Sequence, residues 1–374
     1  VTQSDVLVIG GGVIGLTTAW ELAGQGVRTA VVDRGDFGRE ASWAGAGILP
    51  PGNLESAATA EARLRALSHR LWPELSRALL EKTGIDNGYQ QCGGVEVVEG
   101  DESRARTLVE AYRREGVEAT WFPARQAADL EPALAGDRSV VHLPGLCQVR
   151  NPRHLKALVA ACGQAGVVLR PFTELLELRE DGRTVVAVTT SGRLMAERVV
   201  LCTGAWSGLL GKKLGVRVPV EPVRGQMALL RAPAGLLRRV VLCGRRYLVP
   251  RPDGLVLVGS TEASCGFDKR TTATAVSQLL QFAQQLVPAL AEAEVVRAWA
   301  GLRPGSPDGL PLIGRLPNFE RTYVATGHFR SGLQMSPGTA RLVRELLLEQ
   351  APSIPLEPYS VTRPTVRAPD AAFP

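Results

Sequence analysis

Val6-Leu7-Val8-Ile9 is an unbroken apolar run that stops at Gly10-Gly11-Gly12, and residues 16–23 behind the glycines carry helical spacing. A second apolar run, Thr29-Ala30-Val31-Val32, ends on Asp33. This order predicts strand, glycine turn, helix, strand, acid. Leucines at 64, 67, 71, 75, 79 and 80 then predict a helix over 56–83, which Pro73 is expected to kink or divide. A strand is predicted over 93–98, a charged helix over 101–116 and another helix over 124–131, stopped by Pro132. Asn151 is expected to cap a helix over 152–164, with Pro152 in its first position. The turn Asp181-Gly182 between the runs 175–178 and 184–190 predicts a hairpin. Strands are predicted at 198–202, 225–230, 240–242, 247–250, 255–260, 295–302 and 322–327, and helices at 271–287 and 337–350. The proline-rich tail from Ala351 is expected to be extended or loose.

Runs of the parallel type cluster near 6–33, 198–204 and 322–327, with alternating, antiparallel patterns between them. The fold expected from this is α/β: one nucleotide-binding domain assembled from distant segments, with a β-rich domain inserted. Three glycines of the turn have separate tasks. Gly10 bends the chain, Gly12 lets a pyrophosphate approach the backbone, and Gly15 packs helix on strand. Free N–H groups at the helix start face the phosphates, and Asp33 is placed to accept hydrogen bonds from a ribose. The spacing points to an adenine dinucleotide and leaves NAD, NADP and FAD open.

With 374 residues the chain can bury a large core, and length alone suggests two domains or more. The formal charge of +6 raises the question of nucleic acid, but only five of the 43 basic residues are lysine and the arginines are scattered, so none is expected as a partner. Six cysteines lie far apart without CxxC spacing, which fits buried thiols in a reducing compartment. No metal spacing exists. The N-terminal apolar stretch lacks a basic leader and contains the glycine turn, so it is read as strand and helix, and no run is long enough for a membrane span. A soluble, cytoplasmic protein is the expectation.

Four further segments narrow the dinucleotide. The loop from Arg39 to Leu49 is similar to the flavin-contact loop of the D-amino-acid oxidase group. The run from Val199 to Ser207 resembles that group's internal strand followed by Thr-Gly and Ala-Trp-Ser. Residues Trp299 to Gly314 resemble its substrate-arginine motif, and Gly327-His328-Phe329-Arg330-Ser331-Gly332-Leu333 its last flavin loop. The resemblance extends to about residue 360, and within the group it is nearest the glycine oxidase branch of thiamine biosynthesis.

The resemblance implies a Rossmann-like FAD-binding domain in three parts (1–84, 150–216 and 303–360), an inserted α+β substrate domain with a mainly antiparallel sheet in two parts (85–149 and 217–302), and a tail over 361–374. FAD would be bound by Gly10, Gly12, Val13, Ile14, Gly15, Asp33, Arg34, Ala41, Ser42, Ala46, Gly47, Ile48, Leu175, Thr203, Gly204, His328, Phe329, Arg330, Ser331, Gly332, Leu333 and Gln334. Some relatives attach FAD through a cysteine near position 303. No cysteine follows Cys265, so binding is expected to be non-covalent.

Oxidation of an amino acid needs a cation for its carboxylate, and the planar fork of arginine pairs with two oxygens at once. Arg303, expected in a turn after a strand, is the first candidate, although an arbitrary arginine more often serves a surface ion pair. By resemblance its partners are Tyr247, donating to the same carboxylate, and Arg330. The N-terminus of the helix near 337 would stabilise negative charge on the reduced flavin. His69, His142 and His154 are read as satisfied structural histidines, and His328 as a residue that could contact backbone. No catalytic acid or base is assigned, which fits direct hydride transfer from the α-carbon to flavin N5. The leading expectation is oxidation of glycine, sarcosine and small D-amino acids by oxygen, through an imine to a keto acid and ammonia or amine, with hydrogen peroxide formed. Thiazole synthesis and a homo-oligomer are carried over from the family. Two alternatives stay open: a D-amino-acid dehydrogenase passing electrons to a quinone, and a non-catalytic flavin-binding partner protein.

Overall fold

Two eight-stranded sheets organise the chain in the computed structural model, which describes residues 2–136 and 138–364. In the first, Thr2–Ile9 lies between Gly192–Leu201 and Thr29–Val32, parallel to both, and Val168–Arg170 continues the sheet beyond Thr29–Val32. Ile9 is level with Leu201 on one side and Val32 on the other. The strands therefore end together, and the glycine turn leaves from that common edge, where ligands bind in open α/β sheets. Gly192–Leu201 is shared along its far side. Its first half pairs antiparallel with Thr184–Thr189, and its second half pairs parallel with Thr322–Thr326.

Side chains alternate across this sheet with period two. Val6, Val8, Val31 and Val200 face a layer of helices, where they meet Leu16, Leu64, Leu158 and Leu342. Leu7, Ile9, Val32 and Leu201 face the other way, onto Val216, Val218 and Val220. Each fully buried side chain of this size contributes about 1.5–3 kcal/mol. The helices are Val13–Ala23, Ala60–Thr83, Asn151–Gln164 and Ser336–Leu347.

The second sheet runs in the order Glu294–Gly305, Glu221–Arg231, Leu255–Gly259, Arg246–Pro250, Val240–Cys243, Gly94–Val97, Val140–Leu143, Thr120–Phe122. All of its pairs are antiparallel except Val240–Cys243 with Gly94–Val97. A small sheet of Ile48–Leu49, Cys147–Gln148 and Gln90–Gln91 joins the loop over 39–49 to the chain before Asn151. Among the described residues no helix is long and apolar enough to cross a membrane.

Several expectations need correction. Pro73 does not divide its helix: Ala60–Thr83 runs unbroken, capped by Thr59 and with Pro73 on its exposed side. Asn151 is not a cap. It is the first helical residue, and its Nδ2 donates instead to Ser42 O at 2.8 Å. The strand expected at 198–202 begins at Gly192, and Val168–Arg170 is a strand that the pattern did not signal, since three residues carry too little periodicity. The tail is packed over 351–364: Ile354, Tyr359 and Val361 are buried, and the Tyr359 hydroxyl donates to Ala60 O at 2.6 Å. The rest of the tail lies outside the described residues.

Candidate active site

Gly10 takes φ +111°, and a Cβ there would stand 2.3 Å from Cys202 O, so only glycine fits between the two strand ends. A Cβ on Gly15 would meet Gly10 O at 1.9 Å, so its lack of a side chain seats the helix on the strand. Gly12 occupies the cap position of Val13–Ala23 without a side-chain cap. The Ser42 hydroxyl accepts from Val13 N at 2.9 Å, which leaves its own hydrogen to donate elsewhere. Asp33 holds the turn together: Oδ2 accepts from Gly11 N at 2.7 Å and Oδ1 from Gly35 N at 2.9 Å. Burial pushes its carboxyl above the usual range, against the two N–H groups that favour the charge. Beside it Arg34 lies 3.8 Å above the Trp206 ring, and Phe267 stacks on Trp206 with centroids 5.5 Å apart.

The loop over 39–49 is pinned from several sides. Gly47 has φ +76°, and a Cβ there would fall 1.9 Å from Val149 O. Arg251, buried after the Arg246–Pro250 strand, donates from Nη2 to Ala46 O at 2.7 Å and from Nη1 to Gln148 Oε1 at 2.6 Å and Val149 O at 3.1 Å. Trp299 Nε1 donates to Ala44 O at 3.1 Å. Leu49, by contrast, belongs to a core with Trp72 and Val149.

Arg303 is not in a turn. It sits inside the Glu294–Gly305 strand, opposite Val223, and its half-buried guanidinium lies over Gly225, where a Cβ would be only 2.2 Å from Nη1. Nη2 donates to Ser260 Oγ at 2.6 Å and Nη1 to Thr261 O at 3.1 Å. Both acceptors are neutral, and among the described residues no carboxylate is paired directly with Arg303. Burial lowers its pKa, while neighbouring Tyr247 supports the charge. The Tyr247 hydroxyl points at Met227 Sδ, 3.5 Å away, a weak acceptor that a carboxylate would displace. Arg330 is differently placed. Its Nε and Nη2 donate to Glu262 Oε2 at 3.1 and 2.5 Å.

The last loop closes the same space. Phe329 N donates to Pro304 O at 2.9 Å, and His328 bridges to Gly305. His328 does not turn to backbone with its ring. Its Nε2 meets Thr339 Oγ1 at 2.9 Å, and burial holds its pKa down at about 3. His154 is only partly satisfied: Nδ1 takes Asn87 at 3.2 Å and Nε2 has no partner.

These parts surround one cavity of about 500 Å³. Gly10, Gly12, Val13, Ile14, Asp33 and Arg34 line one end, with Leu175, Thr203 and Gly204. Ala41, Ser42, Ala46, Gly47 and Ile48 form one wall, and His328, Phe329, Ser331, Gly332, Leu333 and Gln334 another. Arg303, Tyr247 and Arg330 stand at the far end. Gly15 alone of the expected cofactor residues is off the wall. Sequence reasoning missed Trp206 as a ring platform, Asn151 and Ser260 as lining groups, and Gly225 and Glu262 as partners of the arginines. The Ala-Trp-Ser run is the one signal in the sequence that points to any of them.

The cavity suits an elongated dinucleotide. A helix N-terminus and a hydroxyl with a free hydrogen stand where phosphates would lie, and an acid and a ring platform stand beyond them. Apolar walls lead from there to a guanidinium. The chain matches the family described as FAD dependent oxidoreductase (DAO) over residues 5–346. It is 41% identical over 358 residues to a glycine oxidase of Pseudomonas aeruginosa, covering 95% of this chain and 98% of the relative. It is 35% identical to the bifunctional protein ThiO/ThiG of Trichormus variabilis, over 92% of this chain and 53% of that longer protein. Among solved structures, the glycine oxidase of Geobacillus kaustophilus superposes with a TM-score of 0.92 at 36% identity, covering 98% of this chain and all of that one.

Proposed function

The chain belongs to the DAO family of FAD-dependent oxidoreductases, and we propose that within it the protein oxidises glycine and other small amines and amino acids, sarcosine and small D-amino acids among them. The observation that carries this reading is the Arg303 guanidinium: it faces the same cavity as the glycine turn, gripped only by neutral acceptors. Bound FAD would accept the hydride released from the substrate's α-carbon and pass the electrons to oxygen as hydrogen peroxide.

The protein's part is placement. Ser260 and Thr261 occupy two of the five N–H donors of Arg303, leaving the remainder of the fork for a carboxylate. Tyr247 adds a hydroxyl donor from the Arg246–Pro250 strand of the same sheet. A carboxylate held there would leave the α-carbon in the cavity that Ile48 and the His328–Gln334 loop also line. The N–H groups of Gly12 and its neighbours, with Ser42 and Asp33, would hold the dinucleotide non-covalently at the other end. The bifunctional ThiO/ThiG relative supports a link between the imine product and thiazole synthesis.

Anaerobic titration of the FAD-loaded protein tests the reading. Glycine, sarcosine or D-alanine should bleach the flavin, and oxygen uptake should exceed dye reduction. A flavin that stays oxidised with all three would refute it. Arg303→Ala should weaken apparent substrate binding by roughly 2–4 kcal/mol, and Tyr247→Phe by less.

A further inference from the structure

Three consecutive residues, Ser260-Thr261-Glu262, hold both guanidiniums of the far end of the cavity, and they hold them differently. Ser260 Oγ and Thr261 O are neutral acceptors for Arg303, so its positive charge stays available. Glu262 is ionic. Its Oε2 takes two donors of Arg330, and its Oε1 lies 3.5 Å from Arg245 Nη1. Arg330 is largely covered, with 10% of its side chain exposed, and it lines the cavity, whereas Glu262 stands behind it. The remaining Arg330 nitrogen, Nη1, reaches Arg245 O at 3.5 Å, so all three nitrogens of the fork are already engaged by protein acceptors.

Resting on the function proposed above, we infer that Glu262 is a specificity-determining residue: by pairing with Arg330 it leaves one usable guanidinium, Arg303, and so selects substrates with a single carboxylate over amino dicarboxylates. A dicarboxylate would bring two negative charges to a pocket with one unpaired positive partner, and its second carboxylate would face Glu262 across Arg330. Discrimination then comes from a repulsive group as much as from an attractive one. The groups around Glu262 agree. Burial alone would raise its carboxyl pKa, but Arg330, Arg245 and Arg303 together hold it below the usual range, so it is charged at neutral pH.

The test compares acetate and malonate as unreactive probes, with dissociation constants from calorimetry on the FAD-loaded wild type and variants. Glu262→Gln should lower the malonate-to-acetate ratio of dissociation constants at least about tenfold, by releasing a second charge-assisted fork. Glu262→Asp should hold the ratio near the wild-type value. Arg330→Met in the Glu262→Gln background should restore the wild-type ratio, and Arg330→Met alone should raise it. The same order should appear in kcat/KM for D-aspartate relative to D-alanine. An unchanged ratio in Glu262→Gln, or a gain for malonate that survives loss of Arg330, would overturn the inference while leaving the proposed function intact. Acetate binding that is equal in wild type and Arg303→Ala would instead sink the proposed function, and this inference with it.

Discussion

A methyl group on Gly225 would lie 2.2 Å from Nη1 of Arg303, so one strand goes without a side chain where its neighbour lays a guanidinium across it. The obstructed atom is the far end of a flexible side chain. Gly225→Ala should therefore displace Arg303 rather than unfold the sheet. We expect the melting temperature to change by only a few degrees and KM for glycine to rise about tenfold or more. Steady-state kinetics beside a thermal melt checks this. A raised KM with a collapsed melting temperature would mean that the strand pair itself had failed.

Asp33 accepts two backbone N–H groups, from Gly11 and Gly35, while lining the cavity. An amide at that position has one oxygen for two donors. Asp33→Asn should raise the dissociation constant of FAD roughly ten- to a hundredfold, which corresponds to about 1.4–2.7 kcal/mol. Titration of apoprotein with FAD measures it directly.

The loop between Leu255–Gly259 and Ala273–Leu286 straps the part of the cavity lined by Arg34 and Trp206. Phe267 stacks on Trp206, and Lys269 Nζ pairs with Glu40 at 3.0 and 3.1 Å. The ion pair is exposed and contributes little, about 0–1 kcal/mol. The ring contact contributes about 0.5–1.5 kcal/mol. Phe267→Ala should thus speed FAD release several-fold, and Lys269→Ala less, with an effect that disappears at high salt. Recovery of free-FAD fluorescence after dilution reports both rates.

His154 is buried with Nε2 unpartnered, and burial holds its pKa down to about 3. The folded state keeps it neutral, whereas the unfolded chain protonates it near pH 6.5. Its contribution is therefore complete above pH 6.5 and is lost as pH falls toward 3, amounting to about 1.4 kcal/mol by pH 5.5. His154→Gln should flatten the difference in urea stability between pH 7.5 and pH 5.5 by about that amount. An equal pH dependence in both proteins would show that His154 is protonated in the fold.

The dinucleotide end was readable because its logic is local. Strand, turn and helix follow one another within 23 residues, and Gly15 answers a steric demand of Gly10 in the same turn. The substrate end was readable only through resemblance. Gly225, Ser260 and Arg303 come from three separate segments, and nothing in the periodicity of one announces the others. Arg303 was expected in a turn because Pro304 and Gly305 follow it. Pairing with Glu221–Arg231 carries the strand through both, an example of tertiary contacts overriding local propensity. Asn151 read as a cap because of Pro152, yet Ser42 O, more than a hundred residues away, claims its amide. Glu262 was one exposed-looking acid among 37 acidic residues until the fold set it against Arg330.

Arg251 reaches from the second sheet into the backbone of the Ala46–Gly47 loop. Together with Trp299, which donates to Ala44 O, that side chain ties the strands carrying Tyr247 and Arg303 to the cavity wall over 44–47, so a disturbance at one is transmitted mechanically to the other. Occupancy at one end should stiffen the other, so hydrogen exchange of the 41–49 amides ought to slow when a carboxylate ligand alone is added.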